Sequence, residues 1–105
     1  MTAAFVYKNH APAHRITGQA LLGSGPLDLS DKRIDVILNA NSIVVTLSLG
    51  SGVRLEAGLG NYSFDLTPAT HTALGLPTQI NTVINIWNLN NTLALNASGL
   101  VNVTL

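Results

Sequence analysis

Strict two-residue alternation runs through the middle of the chain. Ile34, Val36 and Leu38 alternate with Asp35 and Ile37, and Ile43, Val45, Leu47 and Leu49 with Val44, Thr46 and Ser48. Val53, Leu55 and Ala57 then alternate with Arg54 and Glu56, and Tyr62, Phe64 and Leu66 with Ser63 and Asp65. Residues two apart share a face only in an extended strand, so these segments read as β-strands. Asn39-Ala40-Asn41, Gly50-Ser51-Gly52 and the Gly58/Gly60 pair separate them as turns.

The C-terminal third continues the pattern. Ile80, Thr82, Ile84 and Ile86 define one face of a strand; Asn81, Val83, Asn85, Trp87 and Leu89 define the other. Asn90-Asn91 signals a two-residue hairpin, because Asn tolerates the positive φ of a type I′ turn. Folding there sets Ile86 opposite Leu95, Ile84 opposite Ala97, Asn85 opposite Asn96 and Trp87 opposite Ala94. Ser98-Gly99 reads as a further turn, with a final strand carrying Val101, Val103 and Leu105 on one side.

One segment breaks the β pattern. Thr67 suits a helix N-cap and Pro68 the first helical position; Gly75 and Pro77 stand where a helix should stop. The spacing predicts a loop helix near 68–74 that closes one end of a β structure. Before residue 34 the pattern is mixed. Phe5–Tyr7 and Ile16–Leu22 suggest strands, Pro12 interrupts between them, and Gly23-Ser24-Gly25-Pro26 is a turn. The expectation is an all-β fold, an antiparallel β-sandwich or jelly-roll-like barrel with one short helix. Residues 1–15 are expected as an N-terminal extended arm and 16–105 as a single β domain.

Charge is unevenly distributed. Charged residues make up 10% of the 105, against about 25% in a typical soluble domain. All of them lie at or before Asp65, so Leu66–Leu105 has no Asp, Glu, Lys or Arg. Asn81, Asn85, Asn88, Asn90, Asn91, Asn96 and Asn102 supply its polarity instead. Interface cores are depleted in charge, and amides are covered at lower desolvation cost than ions. Uncharged strands with apolar residues on both faces also pair with other chains unless they are covered. The expected partner is therefore a second copy of the chain, in a closed homo-oligomer such as a trimer. Asn81, Val83, Asn85, Trp87, Leu89, Asn96, Val101 and Val103 are its expected interface.

The same features exclude much chemistry. Zero net charge argues against nucleic-acid binding, and absent cysteine against disulfides and thiolate metal sites. No apolar run has the length of a membrane span, and the first residues lack the pattern of a signal peptide. His10 and His14 are split by Pro12, and with His71 they read as surface histidines rather than metal ligands. Ser63 and Asp65 share one face of a strand, and no nucleophile elbow is present. No catalytic residue, cofactor or metal is expected.

In general pattern the chain resembles the small β-structured accessory proteins of tailed-phage particles, whether head decoration and cement proteins or tail and fibre modules. That resemblance implies a non-enzymatic structural protein, made in the cytoplasm and carried in the virion. It would bind another structural protein such as a major capsid or tail protein. Lys8, His10, His14, Arg15, Lys32 and Arg33 are the expected contacts to that underlying shell. The alternative is a lectin-like carbohydrate-binding module centred on Trp87, with Asn85 and Asn96 beside the ring.

Overall fold

The computed structural model describes residues 2–8 and 14–104, with side chains from Arg15 to Asn102. Among the described residues ten strands form: β1 (Thr2–Lys8), β2 (His14–Gln19), β3 (Leu21–Leu22), β4 (Gly25–Pro26), β5 (Lys32–Ala40), β6 (Ile43–Leu49), β7 (Gly52–Leu55), β8 (Asn61–Leu66), β9 (Gln79–Asn88) and β10 (Leu93–Thr104). One helix, α1 (Pro68–Ala73), lies between β8 and β9. Eight strands make one sheet in the order β1-β10-β9-β5-β6-β7-β8-β2, while β3 and β4 form a separate small hairpin. The sheet is mixed, because β1 pairs in parallel with β10 and β6 with β7; its other pairings are antiparallel. It curls until its edge strands β1 and β2 approach each other, although no ladder joins them among the described residues.

Alternation decides which residues fill the curl. Ile34, Val36, Leu38 and Ala40 point inward from β5, and Ile80, Thr82, Ile84 and Ile86 from β9. Val53, Phe64, Leu66 and Ile16 close the core from β7, β8 and β2, with Val45 and Leu47 packed against it from β6. Each large aliphatic side chain fully withdrawn from water contributes about 1.5–3 kcal/mol. This row of inward residues is therefore what fixes the register.

Both ends of the curl are plugged. At one end, α1 carries Leu74 and His71 into the core. Thr67 caps it, its Oγ1 accepting from Thr70 N–H (3.1 Å). The helix stops in a Schellman arrangement, with Leu76 N–H donating to His71 O and Gly75 N–H to Thr72 O. Gly75 holds φ +86°, and Asn41 Nδ2 ties the helix end to the β5–β6 turn through Leu74 O (2.9 Å). At the other end the β2–β5 connection folds inward. Ala20 N–H donates to Gly60 O and Leu27 N–H to Ala20 O, burying Ala20 and Leu29.

Several local expectations are corrected. The β5–β6 turn sits at Asn41-Ser42, both at positive φ, because the strand continues through Ala40. The hairpin between β9 and β10 has a three-residue loop, Leu89-Asn90-Asn91, with positive φ only at Asn91. Trp87 therefore faces Leu93, not Ala94. A bulge at Ala94 then restores the step, so Ile86 still faces Leu95 and Asn85 still faces Asn96. No turn forms at Ser98-Gly99. β10 runs straight through it, since Gly99 is flanked by Thr82 on β9 and Ala3 on β1, and two ladders outweigh a weak local preference.

Of the expected arm, Thr2–Lys8 is the edge strand β1, and His14 and Arg15 open β2; residues 9–13, including His10, lie outside the described residues. His71 is not a surface histidine. It is 1% exposed, and its Nε2 lies 2.8 Å from Pro77 O.

Candidate functional site

The outer face of the central strands carries neutral side chains over much of its length. Register places Ile37 beside Val83 and Asn39 beside Asn81 across β5–β9, then Val83 beside Ser98 and Asn81 beside Leu100 across β9–β10. On the β6 side, Thr46 stands opposite Ile37 and Val44 opposite Asn39. Ile37, Val83 and Leu100 are partly exposed and Val44 is 56% exposed. Amides flank these residues: Asn96 Nδ2 donates to Asn85 Oδ1 (2.6 Å), and Gln79 Nε2 to Asn102 Oδ1 (3.4 Å).

Charge begins where that face ends. Asp35 and Arg33 follow toward the start of β5, where Arg33 Nε lies 3.9 Å from Asp35 Oδ2. On the remote strands Arg54 pairs with Asp65, and Arg15 Nε lies 3.6 Å from Asp65 Oδ1. Ser63 and Asp65 do share a strand face, but Ser63 Oγ donates to Glu56 Oε1 (2.6 Å), and His71 is bound to Pro77 O elsewhere.

The expected interface residues divide. Asn81, Val83, Asn85, Trp87 and Asn96 lie together on the outer face, and Leu89 projects from the adjoining loop, 77% exposed. Val101 does not belong with them. It is 0% exposed and lies in the chain's own core, because an unbroken β10 turns Ala97, Gly99 and Val101 inward. Val103 stands opposite Tyr7 in the β1–β10 ladder, and its side chain lies outside those described.

Trp87 is not an open platform. The Arg33 guanidinium lies over its ring, 5.3 Å from the centroid, and Arg33 Nη1 donates to Asn91 Oδ1 (3.2 Å). The indole N–H is buried without an acceptor among the described residues. Asn85 and Asn96 share its face and bond to each other.

The expected shell contacts do not converge either. Lys32 pairs with Asp31 (2.6 Å) beside Arg33 at the start of β5, while Arg15 lies on β2 with β6, β7 and β8 between them. Lys8 and His14 belong to β1 and β2, and their side chains are not among those described. His10 lies outside the described residues.

Two clefts adjoin the sheet, both missed by sequence reasoning because their lining comes from turns distant in sequence. One, of about 450 Å³, lies between the β5–β6 turn and the α1–β9 connection, lined by Asn41, Leu76, Thr78, Gln79 and Asn81 among others. The other, of about 550 Å³, is formed by Thr17, Gly18, Gln19, Glu56, Ala57, Asn61 and Tyr62. Among the described residues no cluster of His, Asp and Glu has the makings of a metal site. No helix of the described residues is long and apolar enough to cross a membrane. No protein-family model matches the chain, and no curated protein matches its sequence.

Proposed function

We propose that this chain is a non-enzymatic structural assembly protein. It associates with copies of itself through the outer face of β5, β9 and β10, and seats on a larger particle through its charged residues. The observation that carries this reading is the neutral face itself. Ile37 and Val83 are direct cross-strand neighbours, Leu100 lies diagonal to Val83 and opposite Asn81, amides surround them, and charge starts only at Asp35 and Arg33. Such a face loses little on desolvation and gains from apolar burial, as an oligomer interface requires.

The virion role extends the same reading. A head decoration or cement protein, or a tail or fibre module, needs a self-contained β unit, a self-association face and a separate set of polar contacts to the shell. Lys32, Arg33 and Arg15 are candidates for those contacts. Because β1 and β2 are sheet strands, deleting residues 1–15 would damage the fold, and charge reversal is the cleaner probe. Val83→Lys should dissociate the oligomer without unfolding the protomer. Arg15→Glu with Lys32→Glu should leave the oligomer intact but reduce retention on isolated particles in a co-sedimentation assay. Equal retention of the double variant would refute the shell contact, and an undisturbed oligomer in Val83→Lys would refute the interface.

A further inference from the structure

The cleft at the β2–β8 ladder and the β7–β8 connection is lined by two amides and a carboxylate. Its two amides are oriented by the backbone. Gln19 Nε2 donates to Leu59 O (3.2 Å) and Asn61 Nδ2 to Ala57 O (2.8 Å). With one N–H of each amide tied to the backbone, Gln19 Oε1 and Asn61 Oδ1 are turned away from those carbonyls and remain as acceptors without partners among the described residues. Glu56 adds a carboxylate. Its Oε1 accepts from Ser63 Oγ (2.6 Å), and Glu56 makes no ion pair among the described residues, since the neighbouring Arg54 is committed to Asp65.

Two further groups complete the cleft. Tyr62 is 3% exposed, yet its hydroxyl makes no hydrogen bond among the described residues. It lies against Gly18, its cross-strand partner, where a Cβ would stand 2.5 Å from Tyr62 Oη. The missing side chain at Gly18 is thus what makes room for the hydroxyl. Thr17 supplies a second hydroxyl. The volume of about 550 Å³ lies within the roughly 300–1,000 Å³ typical of small-molecule clefts.

We infer that this cleft binds a small organic molecule through a primary ammonium group. An ammonium has three N–H donors and no acceptor. It matches the Glu56 carboxylate together with the two amide oxygens, and hydrogen bonds from an ammonium to a carboxylate are among the strong ones. Tyr62 and Thr17 line the same cleft. Amino sugars and short diamines share this chemistry.

Titrating ¹⁵N-labelled protein by NMR tests the inference, with glucosamine, 1,4-diaminobutane, N-acetylglucosamine and Ca²⁺ as separate probes. Saturable shifts centred on Gly18, Gln19, Asn61 and Tyr62 are expected with an amine. A preference for glucosamine assigns an amino sugar, and a preference for the diamine assigns a polyamine. Glu56→Gln should weaken the amine on the order of tenfold or more while leaving the rest of the spectrum unchanged. Should Glu56→Gln disturb the fold, Gln19→Ala, whose side chain is exposed, is expected to weaken binding in its place. Equal binding of the neutral acetylated sugar, undiminished binding by the variants, shifts from Ca²⁺ but not amines, or no saturable shift from an amine would each overturn the inference.

Discussion

Replacing Thr82 with valine should stabilise the protein. Thr82 lies in the middle of β9 on the inward face, between Ile80 and Ile84, with Leu38 opposite on β5 and Gly99 opposite on β10. It is wholly buried, and its Oγ1 has no hydrogen-bond partner among the described residues. Leaving such a group unsatisfied costs about 1–3 kcal/mol. Valine has nearly the same shape, places a methyl where the hydroxyl stood, and suits a strand at least as well. Thr82→Val is therefore expected to gain about 1–3 kcal/mol of unfolding free energy. For a 105-residue chain each kcal/mol raises Tm by roughly 4–5 °C. Urea unfolding followed by circular dichroism reads the gain as a higher midpoint at unchanged slope. A neutral or destabilising result would show that the hydroxyl is satisfied in solution, by a buried water for instance, and would refute the reasoning.

Other substitutions probe the same architecture. Thr67→Ala removes the side-chain cap of α1 and should cost about 1 kcal/mol in denaturant unfolding. Gly18→Ala drives a Cβ against Tyr62 and should destabilise by roughly 1–3 kcal/mol, with an altered tyrosine signal in near-ultraviolet circular dichroism. Burial pushes the Tyr62 hydroxyl from its usual 10.0 up to about 12. Between those values the unfolded chain loses a proton that the native chain keeps, so stability falls as pH rises through that window. Tyr62→Phe should lose less stability there than the parent protein, as alkaline denaturant titrations would show.

Much of the fold was legible because period-two alternation directly encodes which side of a strand meets the core. Ile34, Val36 and Leu38, and Ile80, Ile84 and Ile86, announce their burial in this way. The helix was legible because Thr67, Pro68, Gly75 and Pro77 mark its ends through local chemistry. What escaped was decided by contacts between distant segments. Gly99 reads as a turn from its neighbours alone, but ladders on both sides hold it extended, and that parity withdraws Val101 from the expected interface into the core. The burial of His71 follows from where α1 docks, which no local pattern specifies. The β9–β10 register came out correctly beyond Ile86 because a longer loop and the Ala94 bulge offset each other. Of the candidate site, the neutral strand face was readable. The Arg33–Trp87 contact and the cleft around Glu56 were not, since each joins segments far apart in the chain.

The central claim is that the face carrying Ile37, Val83 and Leu100 is covered by another copy of the chain. The mass of the purified protein at micromolar concentration, by analytical ultracentrifugation or light scattering, tests it most directly. The account predicts an integral multiple of the 11.0 kDa protomer that collapses to one protomer in folded Val83→Lys. A well-behaved 11.0 kDa monomer in the parent protein would contradict it.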